Sequence, residues 1–271
     1  MKQFLKKIKY ILFINLVLVS QVNSEQEFIT LQATTSTRDS GIYNYIFPDF
    51  ELKHNIQVRV IAVGTGQALN NIKNCDGDVA ITHSKDLEFK YLNENYIISR
   101  TEFMYNDFIF IGPKTDPAKI AGSKNPLDVL KKIYKSKTKF SSRGDNSGTH
   151  MSELNLWRLA GLFPSKYKDT WYLDVGSGMG ATINIAIGVN GYTYSDRATW
   201  LNFKNKEHHV ELFSGHKLLF NQYSILIPNS KLCNNVKANL SSIFKNWLLS
   251  ESTKALIRSY KIDEQQLFFI N

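Results

Sequence analysis

From residue 27 onward, short apolar runs alternate with stretches whose apolar residues recur at helical spacing. Residues 27–33, 57–63 and 78–82 read as strands. Ile42, Tyr45, Ile46 and Phe50 fall on one side of a helix predicted over residues 40–53, and another helix opens at residues 67–72. Residues 108–113 and 223–228 look alike, each an apolar run stopped by proline. Between them lie strand–helix sets at 139–162 and 171–189, then a strand at 192–194. Strands separated by helices predict an α/β fold with a mainly parallel sheet flanked by helices. Two such sets joined by matching strands predict a chain that crosses to a second lobe and returns.

The pattern before residue 27 is different. Lys2, Lys6, Lys7 and Lys9 precede an apolar run over residues 10–19, and Val22, Asn23 and Ser24 supply small residues at the spacing a signal peptidase reads. The run is short for a permanent membrane helix, and no cysteine stands near the cleavage point to carry a lipid. Residues 1–24 are therefore expected to be a removed leader, and the remaining chain an exported protein. That leader holds four lysines and no acid, so 29 of the 33 basic side chains remain against 24 acidic ones, a formal +5. The excess is mild and forms no basic block interleaved with aromatics, which argues against nucleic acid and agrees with an anionic ligand. Cys75 and Cys233 are the only cysteines; in an oxidising compartment they could pair, but spacing alone leaves this open.

The chemistry gathers in three strand-to-helix turns. The first, ATTSTRDSG at residues 33–41, offers the hydroxyls of Thr34, Thr35, Ser36 and Thr37, although one hydroxyl would suffice to cap a helix. The second, VGTGQ at 63–67, presents Thr65 between two glycines that allow close backbone approach. In the third, SSRGDNSGTH at 141–150, a guanidinium (Arg143), the hydroxyls of Ser147 and Thr149 and a helix start fall within one loop. Helix N-termini carry partial positive charge and unpaired N–H donors, and arginine adds a permanent charge and a planar donor fork. Asp145 is placed to orient that fork or to stand in solvent as a loop acid. Three such turns at the carboxyl ends of strands are where an α/β protein forms its ligand crevice. Donors dominate the set, which favours a fully ionised anion over phosphate, whose remaining proton calls for a carboxylate acceptor.

These turns, together with MYNDFIFIGP at 104–113, GMG at 178–180 and YTYSDR at 192–197, resemble the tungstate-binding proteins of ABC transporters, a branch of the type II periplasmic binding proteins. The resemblance spans nearly all of the exported chain. It implies two lobes, each a mainly parallel sheet flanked by helices and joined by two crossing hinge strands, with residues 25–109 and 224–271 in lobe 1 and 110–223 in lobe 2. It places the oxyanion ligands at Thr34, Thr35, Ser36, Thr65, Arg143, Ser147 and Thr149, with Asp145 and His83 behind them. His83 stands where phosphate-binding relatives carry a proton-accepting aspartate, and reads equally as a core or rim histidine. Two departures from the pattern are Ala33 in place of a threonine and Asp145-Asn146 in place of paired acids.

The resemblance further implies a periplasmic monomer that carries tungstate or molybdate to a membrane permease, uses no cofactor or protein-bound metal cation, and catalyses nothing. A molybdate- or phosphate-binding protein of the same fold is the alternative. Competing classes have thinner support. A hydrolase could use Ser142 or Ser147 with His150 and Asp145, but no Gly-x-Ser-x-Gly elbow is present. The glycines at 176–180 fail the dinucleotide spacing. The Arg143-Gly144-Asp145 triplet is too short to signal adhesion, and a signalling ectodomain lacks a second membrane segment.

Overall fold

The computed structural model describes residues 26–271; the leader expected at residues 1–24 lies outside them. The chain begins with β1 (Glu27–Thr34), α1 (Thr35–Asp39), α2 (Ile42–His54), β2 (Ile56–Val63), α3 (Thr65–Lys73), β3 (Val79–Thr82) and α4 (Lys85–Asn93). The long β4 (Ile97–Pro113), α5 (Pro126–Ser136), β5 (Phe140–Ser142) and α6 (Gly148–Leu159) follow. Next come β6 (Tyr172–Asp174), α7 (Met179–Gly188), β7 (Tyr192–Asp196), α8 (Arg197–Asn202), β8 (His209–Phe213) and β9 (Phe220–Pro228). Last are α9 (Ala238–Leu248), α10 (Glu251–Ser259) and the short β10 (Lys261–Ile262), β11 (Gln265–Gln266) and β12 (Phe269–Ile270).

The main strand order is β2-β1-β3-β9-β4-β7-β5-β6. Pairing is parallel toward both ends, where β1 joins β2 and β3 and β5 joins β6 and β7. It is antiparallel in the centre, where β9 lies between β3 and β4 and β4 also meets β7. Helical crossovers give the parallel pairs, as the alternation of elements predicts. β4 changes partners along its length, facing β9 over residues 97–107 and β7 over 108–111. The two look-alike segments therefore do not pair with each other. Their apolar runs mark the deeply buried part of each strand, whereas the half-polar stretch 99–102 of β4 carries much of the pairing to β9.

The helix predicted over residues 40–53 forms as α2, and a short helix that the pattern did not mark, α1, precedes it. Gly41 has φ +83°, which ends α1 and restarts the chain as α2, and the Tyr260 hydroxyl, donating to the Ser40 carbonyl at 2.6 Å, occupies the space of a Cβ there. The turn after β1 is thus already helical at Thr35. Four apolar clusters among the described residues support the sheet, two of them large. One gathers Ile29, Leu31, Phe50, Ile225 and Phe244; the other gathers Phe110, Phe140, Trp157, Trp171 and Tyr192. Cys75, before β3, and Cys233, after β9, form a disulfide with Cα atoms 5.3 Å apart. No helix among the described residues is long and apolar enough to cross a membrane.

Candidate functional site

Five residues stand at the carboxyl ends of parallel strands: Thr34 in β1, Thr65 after β2, His83 after β3, Arg143 after β5 and Asp196 in β7. The first turn is a compact hydroxyl cluster. Thr34 Oγ1 lies 2.6 Å from Thr37 Oγ1 and 3.4 Å from Ser36 Oγ, and all three residues are buried. Thr35 is half-buried, and no side-chain hydrogen bond ties it to the others. In the second turn Thr65 is fully buried at the start of α3, and its Oγ1 accepts from the Gly148 N–H at 3.1 Å across 83 residues of sequence. Gly64 is extended and a Cβ at Gly66 would meet nothing within 4 Å, so packing alone does not require these glycines.

The third turn joins β5 to α6. Gly144 has φ +62°, and a Cβ there would collide with Asp174. Arg143 donates from Nη2 to Asp145 Oδ2, and Asp145 Oδ1 accepts from the Ser147 N–H at 3.1 Å, so the acid orients the fork, one of the two roles its position in the sequence left open. Ser147 caps α6 by accepting from the His150 N–H at 3.2 Å, which leaves the helix start facing the first two turns. Arg143 is only 2% exposed, yet its Nε and Nη1 have no hydrogen-bond partner. Thr149 Oγ1 and Ser141 Oγ are likewise buried and unpaired. Four of the ten such atoms among the described residues thus lie in residues 141–149. A buried donor without an acceptor costs about 1–3 kcal/mol, more for a charged group. This cluster is therefore suited to an anion that supplies the acceptors.

His83 sits beneath the hydroxyl turn. Its Nε2 lies 3.3 Å from Ser36 Oγ and its Nδ1 2.8 Å from Asn221 Oδ1. Burial pushes its pKa down to about 4, and the nearby Arg143 charge adds to this against the Asn221 bond. The ring is thus a neutral part of the site's floor. Asp196 was not among the expected site residues. Burial raises its pKa, although both oxygens accept from Thr199 (N at 2.9 Å, Oγ1 at 2.6 Å) and Arg143 pulls it down. An open groove of about 540 Å³ reaches His83 and Gly148 from outside.

The hydroxyls considered for a hydrolase are engaged elsewhere. Ser142 donates to Glu153 at 2.7 Å, Ser147 caps α6, and His150 Nδ1 accepts from the Asn146 N–H at 3.1 Å. Glu153, behind the arginine turn, also accepts from Trp157 and Tyr172 at 2.9 Å each, and burial still pushes its pKa up to about 7.

His83 and Glu153 therefore oppose each other in the pH dependence of stability. Unfolding lets His83 take up a proton, so its contribution is present above about 6.5 and lost as pH falls toward about 4. Glu153 contributes fully below about 4.5 and loses this as pH rises through about 7. Measured against wild type, which cancels the other groups, Glu153→Gln should steepen the rise of stability with pH between these limits. His83→Gln should tilt the profile the other way, each by at most about 1.4 kcal/mol per pH unit. Urea melts at several pH values check this; profiles parallel to wild type would contradict it.

A PBP superfamily domain model matches residues 21–252. A tungstate-binding protein, TupA, of Peptoclostridium acidaminophilum is 40% identical over 235 residues, covering 86% of this chain and 81% of its own. A crystal structure described as the tungstate ABC transporter from Geobacter sulfurreducens is 41% identical with a TM-score of 0.79, covering 86% of this chain and 99% of that one. The tungstate-binding protein TupA from Desulfovibrio alaskensis G20 is 38% identical with a TM-score of 0.79, covering 90% and 99%.

Proposed function

The chain belongs to the PBP superfamily and, within it, to the family of the tungstate-binding proteins TupA, and on that premise we propose that it captures tungstate in the periplasm for an ABC importer. The carrying observation is the buried donor set: Arg143 Nε and Nη1 and Thr149 Oγ1, all without partners, beside the start of α6. Tungstate is a dianion whose four oxygens only accept, which matches those donors. Hydrogen phosphate would also need an acceptor. The carboxylates at hand are already engaged, Asp145 by Arg143 and the Ser147 N–H and Asp196 by Thr199.

In this reading Thr34, Thr35, Ser36 and Thr65 bind from a lobe of residues 25–109 and 224–271, and Arg143, Ser147 and Thr149 bind from a lobe of residues 110–223. Each lobe offers part of a donor shell that the anion completes when they meet, so the anion favours the closed form by its differential affinity. The closed, monomeric protein then presents a joint surface to the permease, and no chemical step occurs. The leader at residues 1–24 directs export, and the Cys75–Cys233 disulfide fits an oxidising compartment.

Thermal melts of ligand-free protein against tungstate, molybdate, sulfate and phosphate test this. A ligand at about a thousand times its Kd stabilises by about 4 kcal/mol, or roughly ten degrees for a chain of this size. A shift of that order with tungstate and little with sulfate or phosphate is expected. A shift with phosphate alone would move the protein to the phosphate branch, and no shift with any oxyanion would overturn the function.

A further inference from the structure

Gly148, the first residue of α6, lies directly over the imidazole of His83. A Cβ at this glycine would stand 2.6 Å from His83 Cε1, 2.9 Å from Nδ1 and 3.1 Å from Nε2. Its φ does not require glycine, so what excludes a side chain here is the histidine ring. This approach joins the arginine-bearing part of the chain to the hydroxyl-bearing part, and the Gly148 N–H bond to Thr65 Oγ1 at 3.1 Å fixes it sideways.

The ring has little room to retreat. Tyr223 stacks on it with centroids 5.0 Å apart, and Asn221 holds Nδ1 from β9. Asn221 Nδ2 donates to Asn106 Oδ1 at 2.7 Å and Tyr223 Oη at 2.9 Å, so its oxygen faces the imidazole, which then carries its proton on Nδ1. Asn106 and Asn221 are register partners of β4 and β9, the two strands that run side by side through the centre of the sheet. His83 is thus braced by the crossing strands on one side and touched by α6 on the other. Its Nε2 remains an acceptor for Ser36, whose contacts of 3.3 and 3.4 Å position the hydroxyl without committing it.

We infer that His83 is the stop against which α6 closes, and that the His83–Gly148 contact sets the size of anion the site holds. Arg143, Ser147 and Thr149 travel with α6, so the limit on Gly148 also limits their distance from Thr34 and Ser36. Protein interiors resist compression, so the gap is preset by side-chain contact rather than by the ligand. A tungstate-sized oxyanion spans it. Sulfate, with shorter bonds to oxygen, leaves donors on one side out of reach, and discrimination comes from the contacts it fails to make.

The inference rests on the oxyanion reading, and calorimetry with tungstate and sulfate on the full chain distinguishes the two. Gly148→Ala should weaken tungstate binding by about tenfold or more, because overpacking at a closed contact carries a large cost. The ligand-free variant should still fold, since alanine suits a helix start, and circular dichroism checks that. Adding His83→Ala should recover most of the lost affinity, and His83→Ala alone should narrow the preference for tungstate over sulfate. Wild-type-like binding by Gly148→Ala, or no recovery in the double variant, would overturn the stop while leaving the function intact. Failure of the wild-type protein to bind any oxyanion would overturn both.

Discussion

Arg143→Ala should lower tungstate affinity by about two to three orders of magnitude without destabilising the ligand-free protein. The guanidinium is 2% exposed, one of its nitrogens is held by Asp145, and Nε and Nη1 are unpaired. Truncating one partner of a buried, hydrogen-bonded charge pair costs about 2–5 kcal/mol, and each 1.4 kcal/mol is a factor of about ten. Without ligand the balance changes, because a desolvated cation with two unmet donors is itself unfavourable. Its removal offsets the lost bond to Asp145, so the melting temperature should hold or rise slightly. Arg143→Lys keeps the charge but loses the planar fork, and should fall between the two. Calorimetry paired with ligand-free melts checks this; near-normal affinity in the alanine variant would remove Arg143 from the site.

Loss of the disulfide should act on stability and leave the anion site alone. Cys75 and Cys233 are 158 residues apart, so the bridge closes a long loop in the unfolded chain. The chain-entropy relation gives about 5 kcal/mol for such a loop, within a usual range of about 2–5 kcal/mol for native bridges. The Cys75→Ser/Cys233→Ser variant should therefore melt roughly ten degrees lower or more. Its tungstate affinity should match wild type, because the bridge ties the segment before β3 to the one after β9, away from the three turns. Reductant should reproduce the loss in wild type and add nothing in the variant. A variant within about 1 kcal/mol of wild type would show that the unfolded chain is already compact there.

Much of the candidate site was legible because each part is local. Arg143, Asp145 and Ser147 lie within five residues, and their bonds to one another and to the start of α6 follow from that spacing. The Thr34–Thr37 cluster is local for the same reason. Less was legible where neighbours are distant. The helix expected over residues 40–53 forms as α2, but the break at Gly41 that separates it from α1 is covered by Tyr260, from far along the chain. Asp196 read as part of a motif with no stated role, and only the packing of β7 brings its carboxylate under the influence of Arg143. Thr35, expected beside Thr34 and Ser36, is less buried than either, because the chain turns into α1 at that residue.

Read alone, the residues determined the alternation of strands and helices, the three donor-rich turns and the preference for an acceptor-only anion. These depend on the periods of local structure and on side chains a few positions apart, which the chain carries before it folds. Tertiary structure decided the rest: the pairing of Cys75 with Cys233, the partners of β4, the neutral state of His83 and the seating of Gly148 on its ring. Each depends on the distance or burial of groups far apart in sequence, and those quantities exist only once the sheet has brought them together.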